Sequence, residues 1–360
     1  MNRAERLISN ADDVDAVVIM NGGSPFADPA FWYVTEQRSG TFEGAIAVVS
    51  KDGVLNVMVS RLEELSAKRG KGKVHVYEKR DERNAIIKEL LKDAKKIGIN
   101  FHSVSHAAAE YIRKTAGVKI KDVSKVVTKT MSVKDTSEIK AIRDACAISS
   151  KAASSVPDML KEGMTEKEAA AEIDMMMRRL GADGNAFDTI AAFGKFSAEP
   201  HHRPSGRRLA AGDTALFDFG CRHEMYCSDL TRTVFFREPD KRLLRAYDVV
   251  LKAKEAGMRE IRSGAAVKDV DMAARNVIDE SEFKGTFIHS FGHGIGMQVH
   301  EGISVSYASD DILEENMVIS AEPGIYIPGL GGIRIEDTVL VKKNGCEPLT
   351  SFDQSVTVLK

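Results

Sequence analysis

The run Ala215-Leu-Phe-Asp-Phe-Gly220, then Arg222-His-Glu224, then Tyr226-Cys-Ser-Asp-Leu-Thr-Arg-Thr-Val-Phe-Phe236 reads as two apolar strands joined by a polar turn. Each strand carries an aspartate, Asp218 and Asp229, where a buried strand should be apolar. A hairpin centred between His223 and Glu224 sets the two aspartates directly opposite each other, with Cβ atoms about 5 Å apart on one face. Like charges so placed destabilise a sheet unless a cation lies between them. The pattern recurs downstream. Glu322 in Ser320-Ala-Glu-Pro-Gly324 and Glu336 in Ile333-Arg-Ile-Glu-Asp-Thr338 stand symmetrically about Gly329, in the tip Pro328-Gly-Leu-Gly-Gly332. Pro323 is expected to add a bulge there. Four carboxylates facing one site call for about four units of positive charge, which two divalent cations supply, and oxygen ligation suits hard or borderline metals.

A nitrogen ligand has its candidate in Phe287-Ile-His-Ser-Phe-Gly-His-Gly-Ile-Gly-Met-Gln-Val-His-Glu301. Gly292 and Gly294 flank His293 and let the backbone pack closely around the imidazole, with His289 and His300 on either side and His201-His202 upstream. The glycines lack the tail and the Lys-Ser/Thr of a phosphate loop. His300-Glu301 does not begin a zinc-binding H-E-x-x-H, because position 304 is serine.

Outward from these motifs, the chain has two textures. Over the first ~125 residues, short apolar runs (Ala16 to Met20, Gly44 to Val49, Val54 to Val59) alternate with helix-like stretches such as Glu82 to Lys96, the pattern of a small α/β domain. From about Thr130 the helices lengthen. Ser137 is the expected N-cap of one, with Ile139, Ile142 and Cys146 on its apolar face; Thr165 to Glu168 has capping-box spacing, ahead of the stripe Ala169, Ile173, Met176 and Leu180 and the stop Gly181. Arg242 to Arg262 and Ala266 to Ile278 follow, on either side of Gly264. With the strand-like segments between them, this half predicts helices on a largely antiparallel sheet. The expected domains are residues 1–127 and 128–360, and the fold class is α+β.

Of 360 residues, 51 are Lys or Arg and 53 Asp or Glu, a formal charge of −2, which excludes a globally basic nucleic-acid binder. Between Arg61 and Asn100 basic residues outnumber acidic ones 12 to 7, without a series of aromatics to stack bases, and this excess reads as a solvated helical face. No apolar run approaches the roughly 18 residues of a membrane helix. The N-terminus lacks the apolar core of a signal peptide. Cys146, Cys221, Cys227 and Cys346 form no C-x-x-C pair and read as reduced thiols. A soluble, cytoplasmic protein is expected.

The acids and histidines together resemble the five-ligand set of the "pita-bread" metallopeptidases. Ser197-Ala-Glu-Pro-His-His202, Ile288-His-Ser-Phe-Gly-His-Gly294 and Gly331-Gly-Ile-Arg-Ile-Glu-Asp337 bring the chain closest to the Xaa-Pro dipeptidase (prolidase) and Xaa-Pro aminopeptidase branch. The resemblance covers Lys134 to the C-terminus, and that branch supplies a smaller α/β domain ahead of the pita-bread domain. It implies that Asp218 binds one metal, that Asp229 and Glu336 bridge both, and that His293 and Glu322 complete the other. It implies catalytic roles for His201 and His300 at the substrate and the tetrahedral intermediate, a proton shuttle at Glu322, and a place near the substrate for His289. The metals implied are manganese or cobalt, with zinc or iron as alternatives; the substrates are short peptides with proline second, and the assembly is a homodimer without nucleic acid or membrane. One departure stands out. Prolidases usually carry an arginine shortly after the His-Glu pair, where it can hold the substrate's terminal carboxylate, and here that place is Ser304. Arg334 is the nearest substitute clamp, unless it is a structural ion-pair partner of Glu336 or a neighbour. The competing readings are a methionine aminopeptidase-like enzyme, a non-peptide amide hydrolase on the same scaffold, and a non-catalytic peptide-binding module.

Overall fold

The computed structural model describes residues 1–351 and 353–359. The chain forms two compact units, Met1–Met131 and Ser132–Lys360. In the first, the short apolar runs become a six-stranded sheet: β1 (Ala16–Met20), β2 (Ile46–Ser50), β3 (Leu55–Ser60), β4 (Lys73–Tyr77), β5 (Lys96–Ile99) and β6 (Lys119–Asp122), in the order β4-β3-β2-β1-β5-β6. β1, β2 and β3 are antiparallel neighbours, whereas β3–β4, β1–β5 and β5–β6 run parallel. The helix expected over Glu82 to Lys96 occupies Arg80–Leu90, and Lys96 already belongs to β5, whose Ile97 and Ile99 are buried. Asp28 caps the helix Pro29–Thr35 by accepting from the Ala30 N–H at 3.0 Å, and Asn100 Nδ2 reaches its two oxygens at 3.2 and 3.1 Å. Burial nevertheless pushes the Asp28 carboxyl up to about 6.

The second unit repeats one plan: two long helices, then a hairpin bearing two carboxylates. Helices Thr136–Ala153 and Glu166–Arg179 precede β7 (Gly184–Asn185), β8 (Ile190–Phe193), β9 (Thr214–Phe219), β10 (Cys221–His223), β11 (Tyr226–Cys227) and β12 (Leu230–Phe236). Helices Lys241–Glu260 and Val267–Asp279 precede β13 (Gly292–His293), β14 (Ser304–Val305), β15 (Val318–Ala321), β16 (Gly324–Ile327), β17 (Gly331–Arg334), β18 (Asp337–Lys342) and β19 (Gly345–Pro348); β20 (Val358–Leu359) joins β12 in parallel. Each half buries its own core. Ile173 and Met177 pack with Phe193, Phe217 and Phe219 in one; Val250, Val270 and Ala274 pack with Ile319, Ile325 and Val339 in the other.

Helix ends depart from expectation by a residue or two. Asp135, not Ser137, caps Thr136–Ala153: its carboxylate accepts from the N–H groups of Ser137 and Glu138 at 2.8 and 2.9 Å, and Glu138 reaches back to the Asp135 N–H at 2.9 Å. The Thr165 capping box forms as expected, but the stripe behind it buries Met177 rather than Met176.

The first hairpin corrects the expected register. The turn is Glu224-Met225, one residue further on, and both residues take positive φ, 47° and 74°, as a two-residue hairpin turn of this hand demands. Asp218 therefore faces Thr231, not Asp229, and the aspartates become diagonal neighbours. A shift by two leaves them on one face, because side chains alternate with period two. The second hairpin keeps the expected register: Gly324 pairs with Arg334 and Ala321 with Asp337, so Pro323 adds no bulge. The ladder instead breaks at Glu322-Pro323 and at Ile335-Glu336, and the first hairpin breaks at Ser228-Asp229. Three of the four acids thus stand where a strand leaves one sheet for another.

Candidate metal centre

Asp218, Asp229 and Glu336 can each offer an oxygen within 4.8 Å of the others. In each, one oxygen lies against another side chain. Asp218 Oδ2 accepts from Arg334 Nη2 at 2.6 Å, Glu336 Oε2 from the Thr231 hydroxyl at 2.6 Å, and Asp229 Oδ2 lies 3.5 Å from His293 Nε2. The other oxygens, Asp218 Oδ1, Asp229 Oδ1 and Glu336 Oε1, are buried and have no hydrogen-bond partner among the described residues. Buried carboxylate oxygens left bare are costly, and three in one place fit ligation by divalent metal. Glu322 completes the group, its Oε1 lying 3.1 Å from His293 Nε2 and 2.9 Å from the Ser320 hydroxyl, which donates to it.

Backbone contacts hold these side chains where the strands break. The Asp229 N–H and C=O both meet the Thr338 hydroxyl, at 3.2 and 2.8 Å, and the Glu336 N–H donates to Thr231 O at 3.1 Å. The Glu322 N–H donates to Phe291 O at 2.9 Å. Around His293 the chain passes so closely that a Cβ on Gly292 would lie 2.1 Å from Ser320 O and one on Gly294 1.9 Å from Glu301 O. Behind Glu336, Asp337 is wholly buried and paired with Arg232 and Lys254, and Arg232 also donates to Glu336 O.

The electrostatics follow the crowding. Burial, then the neighbouring carboxylates Glu336, Asp218 and Glu322, raise Asp229 well above the usual range; burial with Glu322 and Asp218 does the same to Glu336. Burial also opposes the charge on Glu322, but the hydrogen bond and charge of His293 outweigh it and hold this carboxyl down, at about 2.

A 510 Å³ pocket opens onto Asp218, Asp229, His293 and Glu322, with His201, His289, His300, Ser304 and Arg334 on its wall beside Phe187 and Ile190. His202 is not part of it; it is buried between Glu199 and Glu166 at 2.8 and 2.9 Å. His300 stands edge-on to His293 with ring centroids 4.1 Å apart, and burial followed by the His293 charge lowers its pKa. The tautomer of His289 follows from its partners. The Ser290 carbonyl, 2.8 Å from Nδ1, can only accept, so Nδ1 carries a proton. Burial lowers the His289 pKa, which favours the ring with that one proton, and Nε2 then accepts from the Tyr326 hydroxyl at 2.8 Å. The same hydroxyl accepts from Arg334 Nη1 at 2.8 Å. Both ring nitrogens are engaged, leaving the ring itself to the pocket. Arg334 forms an ion pair with Asp218 rather than Glu336, and it also lines the pocket. Its Nε also donates to the Thr231 hydroxyl at 3.1 Å. Thr231 and Tyr326 carry no mark in the sequence, since a threonine in a strand and a tyrosine in an apolar run are ordinary strand residues. Ser304 lies directly across β13–β14 from His293.

Known proteins resemble the chain over nearly its whole length. Residues 140–343 match the model of metallopeptidase family M24, and residues 3–130 match that of the creatinase/prolidase N-terminal domain. The chain is 35% identical to an Xaa-Pro dipeptidase of Pyrococcus furiosus over 98% of its own length and 99% of the relative's. Among solved structures it resembles an X-Pro aminopeptidase from Thermotoga maritima (35% identity, 99% and 100% of the two chains, TM-score 0.92). It also resembles a prolidase from Pyrococcus horikoshii (34% identity, 98% of each chain, TM-score 0.89).

Proposed function

The chain belongs to metallopeptidase family M24, and from that premise we propose that it hydrolyses the bond between an N-terminal residue and proline in short peptides, as an Xaa-Pro dipeptidase or aminopeptidase. The observation that carries this reading is that Asp218, Asp229 and Glu336 each keep one buried oxygen bare, while Arg334 and Thr231 hold the other oxygens of Asp218 and Glu336. We assign Asp218, Asp229, His293, Glu322 and Glu336 as ligands of two divalent ions, Asp229 and Glu336 reaching both. We take these ions to be manganese or cobalt, with zinc or iron as alternatives, since oxygen-rich ligation with one imidazole accepts all four. Bound there, such ions supply Lewis acidity toward the scissile carbonyl and make a water molecule acidic enough to attack near neutral pH.

The chain's own residues do the rest. His300, its pKa lowered by burial and by His293, is neutral near pH 7 and holds an N–H for the oxyanion. His201 offers a second donor from the pocket wall. Glu322 accepts a proton at its carboxylate and passes it to the leaving nitrogen. The ring of His289, with Phe187 and Ile190, offers a largely apolar wall to a pyrrolidine ring. Catalysis is assigned to the unit Ser132–Lys360. A cytoplasmic location is in keeping with four free thiols, three of them buried, and a homodimer with the resemblance to prolidases.

The test is a panel of X-Pro dipeptides, X-Pro-Y tripeptides and Met-peptides without proline, run with each metal in turn. Release of the N-terminal residue from proline-containing peptides is expected. Turnover confined to Met-peptides would overturn the assignment in favour of a methionine aminopeptidase-like activity.

A further inference from the structure

We propose that Lys134 and Glu301 are positioning residues for His300, their buried ion pair fixing the loop that carries it. This rests on the role given to His300 above. Lys134 Nζ lies 3.0 Å from Glu301 Oε1 and donates also to Ser132 O at 3.0 Å; the two side chains are 1% and 7% exposed. The second carboxylate oxygen accepts from the Met297 N–H at 2.9 Å. The backbone closes the same loop: the Glu301 N–H donates to Gly294 O, and the Gly294 N–H to Ile303 O, both at 2.8 Å. A Cβ on Gly296 would lie 2.0 Å from Glu301 Oε1, so the carboxylate occupies the space a side chain there would need. The segment between His293 and Ser304 is therefore folded around one anion, and His300 is the residue before it.

Lys134 is anchored in turn. Its N–H donates to Asn316 O at 3.0 Å, and Val133 bridges to Met317, next to β15, the strand that leads into Glu322. The ammonium thus links the approach to Glu322 with the loop of His300. Both oxygens of Glu301 are taken up within the protein, so it acts through the loop rather than on substrate. An ion pair this buried has no solvent to offset either charge, so each side chain depends on the other.

In the metal-loaded full-length enzyme, Lys134→Met is expected to keep the wild-type metal content by elemental analysis and to raise deuterium uptake across residues 294–303. On an Xaa-Pro dipeptide it should lower kcat by on the order of 10- to 100-fold with little change in KM. Added to His300→Ala, it should reduce kcat no further, because the group it positions is gone. Lys134→Arg should restore most of kcat. Unchanged deuterium uptake, or fully multiplicative losses in the double variant, overturns the proposal. If Lys134→Met does not fold, Glu301→Gln, which keeps an acceptor for the Met297 N–H but not the charge, is judged by the same two readouts. Deuterium uptake needs no substrate, so a wild-type enzyme inert toward Xaa-Pro peptides would refute the substrate assignment and leave this test standing.

Discussion

Asp229 shows how a single side chain becomes legible in a sequence. It interrupts an apolar strand, it is buried, and its charge is opposed by three other carboxylates. As the ligand assigned to both metals, it should be indispensable: Asp229→Ala is expected to lose activity and metal together, and two metals retained per chain would remove the bridging assignment. His300→Ala should keep its metals and lose on the order of 10²–10³ in kcat, the usual worth of an oxyanion donor; loss of metal instead would make it a ligand. Ser304 faces His293 across a strand pair at the pocket, where a guanidinium could reach a substrate carboxylate. Ser304→Arg should shift kcat/KM toward X-Pro over X-Pro-Y about tenfold or more, the size of a charge-assisted hydrogen bond. A wild-type enzyme already strongly selective for the dipeptide would contradict this. Residues that act through others, such as Thr231, Tyr326 and Lys134, leave no comparable mark, because their types are unexceptional where they occur.

At the scale of elements, the sequence pointed to the right face but not always to the right partner. The second hairpin was readable because Gly329, at φ +80°, marks its tip. The first turn was not, because it asks positive φ of Glu224 and Met225, which nothing in their chemistry advertises. Its turn is held from outside, the Glu224 N–H donating to Asp183 Oδ2 at 2.7 Å. The two aspartates still share a face, because a shift of two preserves side-chain parity. A cap gives the pH prediction. Asp28 has its pKa raised by burial from 3.8 to about 6, so the folded state holds a proton there that the unfolded state has already released. That contribution to stability is full below about pH 4 and is lost as pH rises through 6, an amplitude of about 3 kcal/mol. Asp28→Asn should abolish this slope, followed by the fluorescence of the single tryptophan, Trp32, in the helix that Asp28 caps.

At the scale of the whole molecule, two helix-pair-and-hairpin halves contribute two acids each to one centre. Metal bound between them would link the halves and neutralise charges that otherwise repel. Chelation should therefore lower the calorimetric melting temperature, and added manganese or cobalt should restore it. With free metal 100-fold above Kd the stabilisation is about 2.7 kcal/mol per site, and a melting temperature indifferent to chelation would contradict the assigned centre. Division into two textures near residue 130 was visible as composition, whereas the breaking of the long strands at Asp229, Glu322 and Glu336 was not, since the acids look the same inside a strand or at its end. One consequence concerns how this enzyme would look in a saturation mutagenesis map. In Gly292-His-Gly-Ile-Gly296 every second position has its side-chain space filled by an oxygen from elsewhere in the chain. These three glycines would score as intolerant as the ligands although none is an assigned ligand or lines the pocket, so a fitness map alone would draw the active site too large along this segment.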